Sequence, residues 1–233
     1  MAEDWPGDYR RRPPISSPTY AVRAPLAAWL REEAARRRRP YRVLDVGCGV
    51  KPYYPFFEPY ASKYVGVDVV ENPAADLQGA VESLPVEDGS FDVVLCIQVL
   101  EHADDPAQGV RELRRVVAPG GAVLASTHGV QVYHPSPVDL WRWTHAGLDR
   151  VFRENGDWSS LSVRPSSGTT ACLGMLVAIY ADLLARRAHL APIGRAVVAG
   201  LNRGAAALDR RSTDLSEPRS GSLIANFHVV AEP

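Results

Sequence analysis

Asp45, Gly47 and Gly49 close the stretch Tyr41-Arg42-Val43-Leu44-Asp45-Val46-Gly47-Cys48-Gly49. A carboxylate followed by two glycines one residue apart suits a polar ligand held at backbone level, because no Cβ keeps it away from the peptide groups. A second carboxylate, Asp68, ends the run Lys63-Tyr64-Val65-Gly66-Val67-Asp68. It follows about twenty residues on, the offset at which an acidic side chain takes ribose hydroxyls in a nucleoside-binding βαβ unit. The third glycine of a dinucleotide fingerprint is missing, since the chain continues Val50-Lys51-Pro52. A pyrophosphate cradle is therefore incomplete. His102 and His128 each stand just after an aliphatic run. A histidine poised near neutral pH takes a proton from a hydroxyl or amine, so both are candidate general bases, with His128 first.

The elements that must position these groups follow from periodicity. The runs ending at Asp45 and Asp68 are bounded by turn residues and read as buried strands with their acids at the carboxyl ends. Phe91-Asp92-Val93-Val94-Leu95-Cys96-Ile97 is nearly continuous in apolar residues, as in a central parallel strand covered on both faces. Gln98, Glu101 and His102 stand at its carboxyl end. Asp105-Pro106 starts a helix with Val110, Leu113, Val116 and Val117 on its apolar face. Pro119-Gly120-Gly121 turns the chain into a strand over 122–127. Val22, Leu26, Trp29 and Leu30 predict a helix from about Tyr20 to Arg39, whose terminal arginines suit the helix dipole. Residues 1–18, rich in Pro, Ser and Arg, read as a mobile or draped segment, and Pro52–Tyr60 as a short irregular helix whose rings fill the core.

Leu44-Asp45-Val46-Gly47-Cys48-Gly49 resembles motif I of the class I S-adenosylmethionine-dependent methyltransferases. The resemblance continues in order through Gly66-Val67-Asp68, Glu82-Ser83-Leu84-Pro85, Gly89-Ser90-Phe91-Asp92-Val93-Val94, Leu100-Glu101-His102 and Pro119-Gly120-Gly121, over roughly residues 40 to 130. It implies an α/β fold: a Rossmann-like, doubly wound sheet of about seven strands, mostly parallel with the last antiparallel, and a helical insertion before that strand. The expected organisation is an N-terminal segment and helix over 1–40 and a methyltransferase domain over 41–233, with the insertion at about 168–209. The cofactor implied is S-adenosyl-L-methionine, contacted by Asp45, Gly47, Cys48, Gly49, Asp68, Val69, Val81, Glu82 and Gln98. Many members place an aspartate where Ala80 stands, which leaves backbone near Val81, or Glu82, to meet the adenine.

Downstream, His128–Trp143 is polar, aromatic and broken by proline. Loops at the carboxyl ends of parallel strands gather substrate groups, so Tyr133, His134, Asp139, Trp141, Arg142 and Trp143 are candidate acceptor contacts. The opposing reading has the two tryptophans anchoring the loop and Arg142 pairing with Asp139. Asp139-Leu140-Trp141-Arg142-Trp143-Thr144 resembles a block in bacterial small-molecule and cell-surface-sugar methyltransferases, and Thr144 is placed to cap the following helix. No metal site is expected: Gln98 stands where related Glu-x-x-Glu-His sites carry their first carboxylate. Trp158–Val163 alternates and reads as a strand, 209–222 as a loop, and Ile224–Val230 as the last strand. Thr170–Leu190 is long and apolar, but Asp182, Arg186 and Arg187 cut it too short for a membrane span. It reads as an insertion helix covering the pocket or forming a homodimer face, followed by a second helix around Ile193–Leu208.

The chain has 233 residues, 46% of them hydrophobic, and a formal net charge of -1, enough for a full core and unlike a nucleic-acid surface. Its three cysteines are scattered, which fits a reducing cytoplasm, and no signal peptide is expected at the N-terminus. The expected function is methyl transfer to an oxygen or nitrogen of a small molecule, a natural product or sugar-like acceptor of secondary metabolism. The alternatives are a methyltransferase-like S-adenosylmethionine-binding protein without catalysis and a nicotinamide-dependent oxidoreductase. The missing third glycine and the extra final strand speak against the latter.

Overall fold

Strands β1 (Tyr41–Val46), β2 (Ala61–Asp68), β3 (Leu77–Gln78), β4 (Phe91–Ile97), β5 (Val117–His128), β6 (Ser160–Pro165) and β7 (Asn226–Glu232) form one sheet in the order β3-β2-β1-β4-β5-β7-β6. The computed structural model describes residues 5–38, 40–135, 137–212 and 217–233. β1 to β5 pair in parallel, and β7 runs antiparallel between β5 and β6. This is the Rossmann-like sheet expected, antiparallel last strand included. Strand order reverses beside β1, and such switch points open a crevice at the carboxyl edge where ligands bind.

Both faces are covered, which is why the strand sequences are nearly continuous in apolar residues. In β4, Val94 and Cys96 pack with Val110 and Leu113 of α4 (Pro106–Val116) and with Leu148 and Phe152 of α5 (His145–Glu154). Val93 and Leu95 point the other way, into Leu26 and Leu30 of α2 (Tyr20–Arg36) and Phe57 of α3 (Tyr54–Phe57). The expected caps form: Asp105 accepts from the Gln108 N–H at 3.0 Å and Thr144 from the Gly147 N–H at 3.0 Å. The strand expected at 122–127 is longer. Phe91 pairs with Val117 and Val93 with Ala122, so the Pro119-Gly120-Gly121 turn is an irregularity within β5, after which the ladder resumes.

Other boundaries shift for identifiable reasons. α2 stops at Arg36, three residues before its expected end, where Glu33 pairs with Arg36 and Arg37 at 2.9 Å each. Arg39 lies outside the described residues. Between β6 and β7 come α6 (Thr169–Arg187) and α7 (Ala191–Ser212), packed on each other and, through Ala171, Cys172 and Met175, against Ala21 and Val22 of α2. Asp209, expected in a loop, is helical because its carboxylate accepts from the Thr170 and Ala171 N–H groups at 3.0 and 3.1 Å and so caps α6. Residues 213–216 of that expected loop lie outside the described residues.

Residues 1–4 also lie outside them, and the segment that follows is draped rather than loose. The Trp5 indole donates to the Lys51 carbonyl at 2.8 Å and stacks on Tyr54. Arg11 of α1 (Asp8–Arg11) is buried and donates to the carbonyls of Pro52 at 2.6 Å, Pro6 at 2.8 Å and Trp5 at 2.7 Å. The charged guanidinium is tolerated in this buried position because three backbone oxygens accept from it and the Asp8 carboxylate stands 3.5 Å away. It clamps the N-terminal segment onto the loop that leaves β1.

Candidate functional site

At the carboxyl ends of β1 and β2 the chain builds a polar cradle. Gly47 and Gly49 take φ of +65° and +51°, a region that favours glycine. Their surroundings differ. A Cβ on Gly47 would lie 2.4 Å from the Val99 methyl, whereas one on Gly49 would meet nothing within 4 Å. Gly47 is thus required by the protein's own packing, and Gly49 faces open space. Asp68, nearly buried, ties the cradle together: its Oδ2 accepts from the Gly49 N–H at 2.9 Å and the Asn72 amide at 3.2 Å. Its Oδ1 has only a long contact from the Val70 N–H, at 3.4 Å, and retains acceptor capacity. Val69 is exposed beside it. The Cys48 thiol is buried, and burial pushes its pKa up to about 12, so it stays a thiol.

Asp45 is buried and accepts from the Tyr64 hydroxyl at 2.6 Å. Burial outweighs that bond and lifts its pKa to about 7. Around the adenine position implied by the resemblance, Ala80 and Ser83 form a small bridge and Val81 is buried under Gly109. Glu82 accepts from the Asp105 N–H at 3.3 Å. Gln98 sits at φ +59° with its amide donating to Ser126 at 3.0 Å and to Asn226 at 2.9 Å, so that side chain braces β4, β5 and β7.

The second half of the site lies at the ends of β4 and β5. Glu101 is fully buried. It accepts from the Thr127 hydroxyl at 2.7 Å, and its Oε1 lies 3.3 Å from Nε2 of His128. The Glu101 carbonyl takes the Leu140 and Trp141 N–H groups at 3.1 Å each. Burial raises the Glu101 carboxyl to about 7 and depresses the His128 imidazolium to about 4, so His128 is neutral across the ordinary working range. Nδ1 of His128, Oε1 of Glu101 and the Trp143 indole N–H are buried without hydrogen-bond partners among the described residues. Orphaned buried polar atoms call for a ligand or solvent partner. In the sequence Glu101 belongs to the Leu100-Glu101-His102 block and to a metal-like pattern, and neither points to His128; its place beside that ring requires β4 and β5 to be neighbours. His102, the other candidate base, is bonded through Nδ1 to the Val138 carbonyl and lies against His134, with ring centroids 5.8 Å apart.

Loop 129–144 is stapled over this corner. The Trp143 N–H donates to the His128 carbonyl at 2.9 Å and the Trp141 indole to the Ala103 carbonyl at 2.7 Å. The two indoles stack at 5.9 Å, and Trp143 packs on the core. Arg142 forks onto both oxygens of Asp139 and also donates to the Trp141 and Val132 carbonyls at 2.9 Å each. Asp139 in turn accepts from the His134 N–H at 2.9 Å. The Arg142 bond holds the Asp139 carboxyl down at about 2. The fork expected to face an acceptor is engaged inside the loop, while Tyr133 and His134 project into solvent. Arg142→Ala should therefore loosen the loop: limited proteolysis should cut first within 129–143, and acceptor KM should rise. Affinity for a ligand of the β1–β2 cradle should stay within about twofold, because Arg142 bonds, among the described residues, only within its own loop. Asp139, depressed from its ordinary value, holds the staple at neutral pH and releases it only as pH falls towards 2.

A family described as a methyltransferase domain matches residues 19–160. The chain is 34% identical over 112 residues to the uncharacterized methyltransferase YcgJ of Bacillus subtilis, covering 41% of this chain and 44% of that protein. It is 33% identical over 117 residues to a ubiquinone biosynthesis O-methyltransferase of Pseudomonas aeruginosa, covering 42% and 48%. The matched region thus spans under half the length of these curated relatives. Among solved structures, the YcgJ crystal structure has a TM-score of 0.53 at 20% identity, covering 89% of this chain and 97% of that one. Haemonchus contortus phosphoethanolamine N-methyltransferase 2, in complex with S-adenosyl-L-methionine, has a TM-score of 0.57 at 15% identity, covering 97% and 60%. The [4+2]-cyclase SpnF has a TM-score of 0.56 at 19% identity, covering 91% and 81%. At these identities the structural likenesses speak for the fold.

Proposed function

The chain belongs to the methyltransferase domain family, and from that premise we propose that it transfers a methyl group from S-adenosyl-L-methionine to an oxygen or nitrogen of a small molecule, with His128 as general base. The observation that carries the base assignment is the buried Glu101–His128 pair, with its unpartnered Nδ1, on the strands next to the glycine cradle. The residues fit the cofactor: Gly49 opens onto free space, and Asp68 Oδ1 has acceptor capacity for ribose hydroxyls. Asp45, Cys48, Val69 and Gln98 border that cradle, and Val81 and Glu82 supply its adenine side. When bound, the sulfonium supplies an already activated methyl group, so the protein's task is chiefly positioning.

The chain's own residues divide that task. Asp68 holds the Gly49 backbone in place. Glu101 is a positioning residue: its Oε1 lies 3.3 Å from Nε2 of His128, and the unpartnered Nδ1 of His128 is the nitrogen left to take the acceptor's proton. Trp141 and Trp143 form a flat apolar wall, and Tyr133 and His134 line the outer rim, as for a natural-product or sugar-like acceptor. Cys48, Cys96 and Cys172 are free and buried, which supports a reducing, cytoplasmic setting.

Calorimetry with S-adenosylhomocysteine tests the cradle. Charge-assisted bonds to Asp68 are worth about 1.5–3 kcal/mol each. Asp68→Ala should weaken binding at least tenfold with the melting transition retained. Unchanged affinity would remove the nucleoside from this cradle. Incubation with labelled donor and small-molecule pools tests the chemistry; label on hydroxyl or amine acceptors is the expected result, and label on carbon only would overturn it.

A further inference from the structure

We propose that the α6–α7 hairpin docks the protein on an anionic lipid surface, lying in the plane of the interface. Leu173, Val177, Tyr180 and Leu184 recur at helical spacing on α6 and are 48%, 55%, 62% and 60% exposed. Leu190 and Ile193 extend the exposed apolar surface around the tip of the hairpin. Solvent-facing patches of this kind mark interaction surfaces. Despite Asp182, Arg186 and Arg187, expected to cut the apolar run too short, α6 is apolar enough to cross a bilayer by length and composition alone. Its inner face rules that out: Ala171, Cys172 and Met175 are buried in a cluster with α2, and Asp182 pairs with Arg186 at 2.7 Å within the helix. With one face held by the protein and an apolar face turned outward, α6 can lie on a membrane but not span it.

Charge selects the occupant. Residues 169–212 hold six arginines and two aspartates, in a chain whose formal net charge is -1. Both acids are engaged, Asp182 by Arg186 and Asp209 as the cap of α6. Arg187, Arg195 and Arg203 are exposed and make no ion pair with the described residues. Arg187, three residues past Leu184, continues the α6 stripe, so a second copy meeting it across a two-fold axis would set positive against positive. An anionic leaflet answers both the charge and the exposed aliphatic side chains, and Tyr180 suits the boundary between headgroup and acyl chain. The hairpin leaves the sheet after β6 and returns at β7, both at the carboxyl edge that carries the candidate site. Docking would set that edge beside the bilayer.

Co-sedimentation of the full chain with vesicles tests the surface. Mixed phosphatidylglycerol–phosphatidylcholine vesicles should bind it at least tenfold more tightly than phosphatidylcholine alone, and salt should weaken the binding. V177E/L184E should lose at least tenfold, and R187E/R195E should lose the preference for the anionic lipid. Both variants should keep wild-type affinity for S-adenosylhomocysteine, a control independent of whether methyl transfer is confirmed. Absent binding, equal binding to both vesicle types, or binding that neither variant affects would overturn the proposal. A lipid-free dimer that V177E/L184E dissociates, without vesicle binding, would assign the face to a second copy instead.

Discussion

Replacing His128 with alanine should lower turnover on a hydroxyl or amine acceptor by about 10²–10⁴-fold, the range for loss of a positioned general base. Donor affinity should stay within about twofold, since no group on β1 or β2 changes. His102→Ala, by contrast, should leave turnover within about threefold, because that ring is engaged with the Val138 carbonyl. The pH dependence has a definite sign. Burial lowers the His128 pKa to about 4, so the basic form rises as pH passes upward through about 4 and is complete well before neutrality. Glu101→Gln keeps the shape of the neighbour and removes its charge. It should cost turnover at least tenfold at unchanged donor affinity, since Glu101 acts only through His128.

Glu101 also leaves a thermodynamic signature that a purely structural reading of the pair does not share with kinetics. Its folded-state pKa is raised from 4.5 to about 7. The stability it contributes is present below about 4.5 and is lost as pH rises through about 7, because the deprotonated form is buried. His128 and His228, lowered by burial to about 4 and about 3, gain stability over part of the same window, so the Glu101 share is read as a difference: Glu101→Gln should remove from the melting profile a loss of stability between about pH 4.5 and 7. Asp45, raised to about 7 by the same cause, leaves a residual slope. Removal of that loss with undiminished turnover in Glu101→Gln would make the pair structural. Turnover within threefold of wild type in His128→Ala would remove the base from the mechanism.

Gly47→Val should abolish detectable S-adenosylmethionine binding by calorimetry. The residue sits at φ +65°, and its Cβ would stand 2.4 Å from the Val99 methyl. A side chain in that region costs about 1–2 kcal/mol before any clash. The collision then pushes the loop that carries Gly49 and its bond to Asp68. Gly49→Ala isolates the ligand's share of the effect. Its Cβ meets no protein atom within 4 Å, so the fold should hold while cofactor affinity falls. Trimming the neighbour should partly restore binding in Gly47→Ala/Val99→Ala relative to Gly47→Ala. An ordered cofactor in its usual place in Gly47→Val crystals would refute the close-packing account, and full affinity in Gly49→Ala would show that the ligand does not approach there.

The features readable from the sequence are those with short-range causes. Continuous apolar runs marked the central strands, because a strand covered on both faces cannot alternate. Asp105-Pro106 and Thr144 marked helix starts through their immediate neighbours' free N–H groups. The glycine and aspartate spacing around Asp45 and Asp68 marked the cradle, and the family followed from motifs in register. The tertiary structure alone decided which polar groups are engaged with the protein and which remain for a ligand. Gln98 reads as a ligand contact until β7 brings Asn226, 128 residues away, against its amide. Arg142 reads as a fork for an acceptor until the loop folds back on Asp139 and three carbonyls. Arg11 belongs to a segment that reads as mobile or draped until the Pro52 carbonyl accepts from its guanidinium, and Asp209 looks like loop until α6 offers its first N–H groups. Glu101 and His128 become a pair only where β4 and β5 lie side by side. Hydrogen-bond partners are set by distance in space, and a single sequence encodes distance along the chain; burial and pairing across strands therefore belong to the fold.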